Sequence, residues 1–445
     1  MQSSAYPSYG ERRRYQRKPY ARAVSYWLNV KMLPELKTFD SNGSVIDISE
    51  KGLCLQTATP LLEGHVVYFD DAIEYTAGVV RWCEALDEFY RAGIEIRADT
   101  SYAGYAEEAA EKSRLLIRET EECVRVLDAA TEKLMTEMAA IEAKCIVRSE
   151  SPETIQKLIR EAIDGMVQAC EDFENRVVEA DVIRVARTRF REKTDRMFSK
   201  GYCVNRARVW PQGSQGDYKT LELLYKNTPL SEGIGYYLDR IMFDMPLGHA
   251  VRSRIKKLEL MLKDELLKRR EPAVLNIACG ACRELLGIVP EIIDSGAKVV
   301  CIDSDNDALN YAQGRLADAG LRENIEFYKY NALRLFDYET GMEDYGKQDV
   351  IYSVGLFDYL PSDFLTKIFS TLYKMLNPGG RFIPAFKDAR RYKAQYYQWF
   401  VDWDGFMQRK EEDFRKILAD AGIPLSRITE VRDDTGIIIF YRVTK

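Results

Sequence analysis

The stretch with the most chemical potential in this chain is Asn276-Ile-Ala-Cys-Gly-Ala-Cys-Arg-Glu284. The apolar run AVLNIA leads into it and reads as a buried strand, so Ala278, Gly280 and Ala281 fall on the turn at that strand's carboxyl end. Small residues there let backbone approach a ligand closely, and a helix N-terminus follows. The next apolar run, KVVCID, ends in Asp303, with Asp305 shortly after it. A carboxylate in that place can accept both hydroxyls of a ribose, and its distance from Gly280 suits the roughly 20 residues expected of a nucleoside site on an α/β sheet. Asn331-Ala332 after the third strand and Val354 after the fourth complete a ring of strand-end residues around such a ligand. G-x-G-x-x-G is absent, so the loop offers no tight cradle for a pyrophosphate. It suits S-adenosylmethionine (SAM), a nucleoside without phosphate.

A second constellation lies near the N-terminus. Arg12, Arg13, Arg14 and Arg17 form a basic arm, and Asp47-x-Ser49-x-x-Gly52 follows within β-like sequence. Planar guanidinium groups grip phosphates bidentately and stack on purines. Asp47 and Ser49 alternate along a strand and so face the same way, while Gly52 permits a turn. Together they suit an anion that carries guanine.

The elements that must position these groups fall into three textures. Short β runs separated by Gly, Asp or Asn occupy residues 22–97 and read as a small barrel. Residues 101–200 have helical periodicity, with Leu115, Leu116, Cys123, Val126 and Leu127 on one face and Ile159, Ile163, Val167 and Cys170 on another. Ser151 before Pro152 marks a helix start. From 201 onward an amphipathic helix at 249–270 leads into alternating strands and helices, closed by an antiparallel hairpin around Asp434-Thr435-Gly436. The expected organisation is a tail (1–10), a barrel (11–100), a helical connector (101–200) that can serve as a homodimer interface, and a mostly parallel seven-stranded α/β domain (201–445) whose first helices (201–270) form a lid.

Composition narrows the function classes. Lys and Arg number 64 against 70 Asp and Glu, a net charge of −6, which argues against the basic surface of a nucleic-acid binder. No run approaches the roughly 20 apolar residues of a membrane span, and no signal peptide is evident. Nine cysteines without repeated spacing suggest a reduced, cytoplasmic protein. The single C-x-x-C, Cys279 and Cys282, lacks a second pair, and two histidines are few, so no metal site is expected.

The run ACGACRE, with QGDY (215–218), LGHAVRSR (247–254), MLNPGGRF (375–382) and TGIIIFYRV (435–443), resembles the 3-hydroxypalmitic acid methyl ester biosynthesis methyltransferases over residues 201–445. The resemblance implies a class I methyltransferase fold, SAM as donor, and a fatty-acyl or other small carboxylate as acceptor. Asn276 stands where many methyltransferases have an acid; it can hydrogen-bond the ligand's amino-acid part but adds no negative charge. A carboxylate acceptor needs only cations to hold it, for which Arg252, Arg254, Arg283 and Lys387 are candidates. A hydroxyl or amine acceptor needs a base, for which Glu284, Asp358 and His249 are candidates. Asp217 and Tyr218, within the segment 212–225, are expected to wall the donor pocket. Tyr392, Tyr396, Tyr397, Trp399, Phe400 and Trp403 suit either an acyl pocket or plain core. Arg13-x-x-x-Arg17 with Asp47-x-Ser-x-x-Gly52 resembles the signature of PilZ domains, which implies cyclic-di-GMP as a regulatory ligand. The leading expectation is a cyclic-di-GMP-responsive SAM-dependent methyltransferase. The alternatives are an effector with a silent methyltransferase fold, or a protein methyltransferase.

Overall fold

The computed structural model describes residues 18–31, 36–49, 51–58, 61, 66–69, 77–86, 89–96, 102–177 and 179–445. The arginine arm at 12–17 lies outside them. The chain divides into two compact units, Met1–Val126 with Phe173–Ala186 and Leu127–Asp172 with Arg187–Lys445.

In the first unit six strands, β1 (Lys18–Lys31), β2 (Leu36–Ser49), β3 (Gly52–Thr57), β4 (Val66–Phe69), β5 (Ala77–Leu86) and β6 (Phe89–Glu95), pair antiparallel in the order β1-β2-β3-β6-β5-β4. Strand β1 also pairs with β4, so the ring closes and leaves no sheet edge. Alternation aims Val45, Leu53, Leu55, Val80, Ala92 and Ile94 inward, each almost wholly buried.

Three helices follow in sequence: α1 (Tyr102–Val147), α2 (Pro152–Arg176) and α3 (Ala180–Phe198). Ser151 caps α2 through its Oγ, which accepts from Thr154 N at 3.2 Å. All four apolar residues expected on one α2 face are buried, whereas Val126 of α1 is 51% exposed beside buried Cys123 and Leu127. A stripe with five apolar positions is wider than the face α1 buries there. The side chains of Leu115 and Leu116 lie outside the described residues.

The second unit then adds α4 (Tyr202–Val209), α5 (Tyr218–Lys226), α6 (Ile234–Asp244) and α7 (Pro246–Leu266). Pro246 pre-sets the first turn of α7, which therefore starts ahead of His249. The sheet of this unit comprises β7 (Ala273–Ile277), β8 (Lys298–Asp303), β9 (Ile325–Lys329), β10 (Gln348–Val354), β11 (Leu376–Lys387), β12 (Ile428–Arg432) and β13 (Ile438–Thr444), in the order β12-β13-β11-β10-β7-β8-β9. Strands β7 to β11 run parallel, and β13 lies antiparallel between β11 and β12. The intervening helices are α8 (Arg283–Leu286), α9 (Val289–Ser295), α10 (Asn306–Asp318), α11 (Tyr338–Tyr345), α12 (Ser362–Met375), α13 (Gln395–Gln398) and α14 (Glu411–Asp420). Strand order reverses between β7 and β10, the place where an open α/β sheet opens a crevice at its carboxyl edge.

Candidate functional site

The crevice is built around the 278–282 loop. Ala278 (φ 53°), Gly280 (φ 53°) and Cys282 (φ 48°) alternate in the left-handed region. Such alternation turns backbone N–H groups into a concavity suited to a negative group. A Cβ on Gly280 would meet nothing within 4 Å, so its free side faces open space. Ala278 and Cys282 each bear about 1 kcal/mol of strain in this conformation. Asp303, at the end of β8, holds the loop: its Oδ2 accepts from Gly280 N at 2.8 Å and its Oδ1 from Asp305 N at 2.9 Å. Burial pushes its carboxyl above the ordinary range, against those backbone donors. Its remaining lone pairs leave capacity for ribose hydroxyls.

A cavity of about 60 Å³ opens above this loop. Its walls include Ala278, Gly280 and Val354 at strand ends, Tyr218 and Tyr225 from α5, and Arg254 from α7. Tyr218 packs with Ala281 and Ala308, so α5 lies over the loop. Asn276, Glu284 and Tyr352 form the floor. Asn276 Nδ2 donates to Glu284 Oε1 at 2.9 Å and Tyr352 OH donates to the same oxygen at 2.8 Å. Burial pushes the Glu284 carboxyl up to about 7, against the hydrogen bonds from Tyr352 and Asn276.

Arg254 is the unusual charge of the site. It is 4% exposed, its Nε has no hydrogen-bond partner, and its Nη2 donates only to Tyr225 OH at 3.4 Å. Among the described residues no carboxylate forms an ion pair with it. Against burial, Tyr225 and, through space, Asp358 hold the guanidinium above its ordinary value. A side chain on Gly355 would come within 3.8 Å of Arg254 Nη1, so the guanidinium lies against the turn that ends β10. Next in sequence to that turn, Asp358 is bound to Lys387 through both that residue's backbone N, at 3.1 Å, and its Nζ. Burial lowers the Lys387 ammonium despite that partner.

Other expected site residues have local roles. Asp217 caps α5 through Thr220 N and pairs with Arg206 Nη2 at 2.8 Å. Asp305 accepts from Asp307 N and caps α10, and Asn331 accepts from Leu333 N to cap the 3-10 turn that contains Ala332. Arg283 reaches Glu222 at 3.3 Å and lines the cavity. Arg252 donates to Phe243 O at 2.8 Å and to Leu224 O, near helix ends, and meets exposed His249. Of the aromatics at 392–403 all but half-buried Tyr396 are core: Trp399 and Phe400 pack edge-on against Phe190 at 5.8 and 5.1 Å. Tyr225, the last residue of the segment expected to wall the pocket, does line the cavity, whereas Tyr352 and Cys301 carry no signal in the sequence. Tyr352 and Cys301 flank Asn276 in register on β10 and β8, and no local signal carries that register.

In Asp47-x-Ser49-x-x-Gly52, Ser49 pairs with Gly52 across β2 and β3, and Ser49 Oγ donates to Gly52 O at 3.1 Å. Asp47 faces Cys54 beside a bulge. Arg12, Arg13, Arg14 and Arg17 lie outside the described residues.

A parallel sheet with a reversed strand order and a terminal antiparallel hairpin fits the class I methyltransferase fold. Residues 274–380 match the methyltransferase-domain family. That match marks a methyltransferase domain within the second unit. No curated protein matches the chain. Solved structures similar to it include a possible exported protein from Bordetella parapertussis, 17% identical over 71% of this chain and 96% of that one, with a TM-score of 0.42. Magnesium protoporphyrin IX methyltransferase from Synechocystis PCC 6803, with bound SAM, is 18% identical over 44% of this chain and 83% of its own, with a TM-score of 0.33. A SAM-dependent methyltransferase from Clostridium acetobutylicum is 15% identical over 46% and 96%, with a TM-score of 0.32. Among the described residues no helix is long and apolar enough to cross a membrane.

Proposed function

We propose that the chain methylates a small or fatty-acyl carboxylate under control of cyclic-di-GMP, in the cytoplasm. The observation that carries the acceptor class is Arg254, a buried guanidinium with no carboxylate partner beside the β10 turn. Burial of an unpaired charge costs several kcal/mol unless a counter-charge arrives, so an anionic ligand is the natural complement. SAM, when bound, supplies a methyl group on a positively charged sulfur. Asp303 is suited to hold its ribose and the 278–282 backbone to receive its amino-acid end. A carboxylate acceptor is already ionised, so the protein's task is to aim an oxygen at the methyl carbon and keep water out. Arg254 suits that task, with Tyr225 orienting it and the Lys387–Asp358 pair completing a net positive wall.

The cavity is smaller than the roughly 300–1,000 Å³ of a small-molecule site. Ligand entry therefore calls for α5 and Tyr218 to withdraw. Gly213 and Gly216, at positive φ just before α5, give that segment the backbone freedom to do so. The closed antiparallel barrel and the Asp47-Ser49-Gly52 hairpin support the PilZ-like reading of the first unit, with Arg12, Arg13, Arg14 and Arg17 as the phosphate arm. Bound cyclic-di-GMP would alter turnover only if it binds two states of the chain unequally.

Calorimetry with SAM, then with cyclic-di-GMP, tests both parts. Saturable binding of each is expected, with cyclic-di-GMP binding lost in Arg13→Ala. SAM binding without cyclic-di-GMP binding would remove the regulatory half of the proposal, and methyl transfer rates indifferent to cyclic-di-GMP would do the same.

A further inference from the structure

Three sulfurs meet behind the nucleoside loop. Cys279 and Cys282 come from the loop itself, and Cys301 comes from β8 two residues before Asp303. Their Sγ atoms all lie within 4.8 Å of one another, with Cys282 and Cys301 at 3.7 Å. All three are free thiols; Cys282 and Cys301 are wholly buried and Cys279 is 8% exposed. A disulfide needs its sulfurs about 2.05 Å apart. Tetrahedral sulfurs about 2.3 Å from a shared zinc ion lie about 3.8 Å from each other, which is the spacing of Cys282 and Cys301.

Two further features favour a ligand role over simple packing. Cys282 sits at φ 48°, where glycine would be unstrained, so a thiol is kept at a position that disfavours any side chain. Asn276 Nδ2 approaches Cys282 Sγ at 3.9 Å and also reaches Glu284, the kind of outer donor that orients a thiolate. The C-x-x-C that lacks a partner pair in the sequence thus gains a third sulfur through strand register, since Cys301 pairs with Asn276 across β7 and β8.

We propose that Cys279, Cys282 and Cys301 form a binding site for one thiophilic divalent cation, zinc, which ties the 278–282 loop to β8. Binding converts three thiols into thiolates and releases three protons, leaving a complex of net charge −1. One position of the tetrahedron is left to a non-cysteine ligand, and two of the three donors, Cys279 and Cys282, line the cavity. The negative complex stands beside Asn276, which itself supplies no charge to a cationic ligand; that consequence rests on the SAM reading, whereas the site does not.

The test uses the full chain, kept reduced with a phosphine and stripped with a chelator. Titration with Cd²⁺ is followed by its ultraviolet thiolate charge-transfer absorption, and Zn²⁺ is then added as competitor. One equivalent of Cd²⁺ is expected to saturate the band, and Zn²⁺ to abolish it. Cys301→Ala and Cys282→Gly, the latter relieving strain, are expected to lose the band, and Cys145→Ser on α1 to keep it. Zn²⁺ is expected to raise the unfolding temperature of the wild type and of Cys145→Ser but not of Cys301→Ala. A folded wild type with no one-equivalent band, a band that survives in both cluster variants, or an unfolding temperature unmoved by Zn²⁺ would each overturn the site.

Discussion

Helix α7 buries two charges about three turns apart, on the same face, and among the described residues only one of them is ion-paired. Glu265 is fully buried, yet it accepts from Arg269 at 2.5 Å, Arg442 at 2.7 Å and Arg381 at 3.2 Å, which clasp α7 to β11 and β13. Burial alone would raise its carboxyl; the arginine hydrogen bonds outweigh that and hold it below the ordinary value. Arg254 has no such company. A buried charge that is surrounded by partners holds a fold together, and one left unpaired beside a cavity marks where a ligand's charge belongs.

Breaking the clasp should have the largest effect. Glu265→Ala leaves three arginines without their shared partner and is expected to destabilise the methyltransferase unit by about 3–5 kcal/mol, read as a lowered denaturation midpoint. Arg254→Met tests the other end of the helix. It removes a buried charge that no carboxylate hydrogen-bonds, so stability should change little, while kcat/KM falls roughly 100-fold, about 3 kcal/mol of lost charge-assisted binding. A parallel loss of stability and activity would make Arg254 a second structural clasp. Asp303→Ala removes the acceptor for Gly280 N and, on the proposed reading, for the ribose, so SAM affinity measured by calorimetry should weaken by roughly 10-fold or more. The smallest effect is on pH dependence. Because the folded Glu265 carboxyl titrates below its ordinary 4.5, its stabilisation is full above that pH and is lost as pH falls through the folded value. The stability gap between wild type and Glu265→Gln should therefore shrink on acidification below about 4.5, in thermal melts across a pH series.

Much of this architecture was legible in the sequence because its signals are local. The turn at 276–284 and Asp303 announce themselves by residue type and spacing, and the β-α alternation sets a parallel sheet before any contact is known. The capped start of α2 at Ser151 is equally local. What could not be read depends on register and packing between distant segments. Asn276, Cys301 and Tyr352 become neighbours only because β8, β7 and β10 align them. In sequence Arg254 is one of four candidate cations, and only the packing of α7 sets it apart from the others. Asp217, Asp305 and Asn331 have the right type for a ligand and are spent on helix caps, a competing use that a strand-end carboxylate or amide always has. The aromatics at 392–403 suited a lipid pocket by composition, and Phe190 on a helix remote in sequence turns Trp399 and Phe400 into core.

On the proposed function, the charge on Arg254 is completed by a carboxylate that receives the methyl group. The direct measurement is transfer of label from methyl-labelled SAM to a panel of fatty-acyl and short carboxylic acids, followed by mild alkali, which frees methanol from methyl esters and leaves ethers and methylamines intact. Base-labile label that forms with wild type and falls roughly 100-fold with Arg254→Met is the predicted result. Label that resists alkali, or base-labile label undiminished in Arg254→Met, would contradict it.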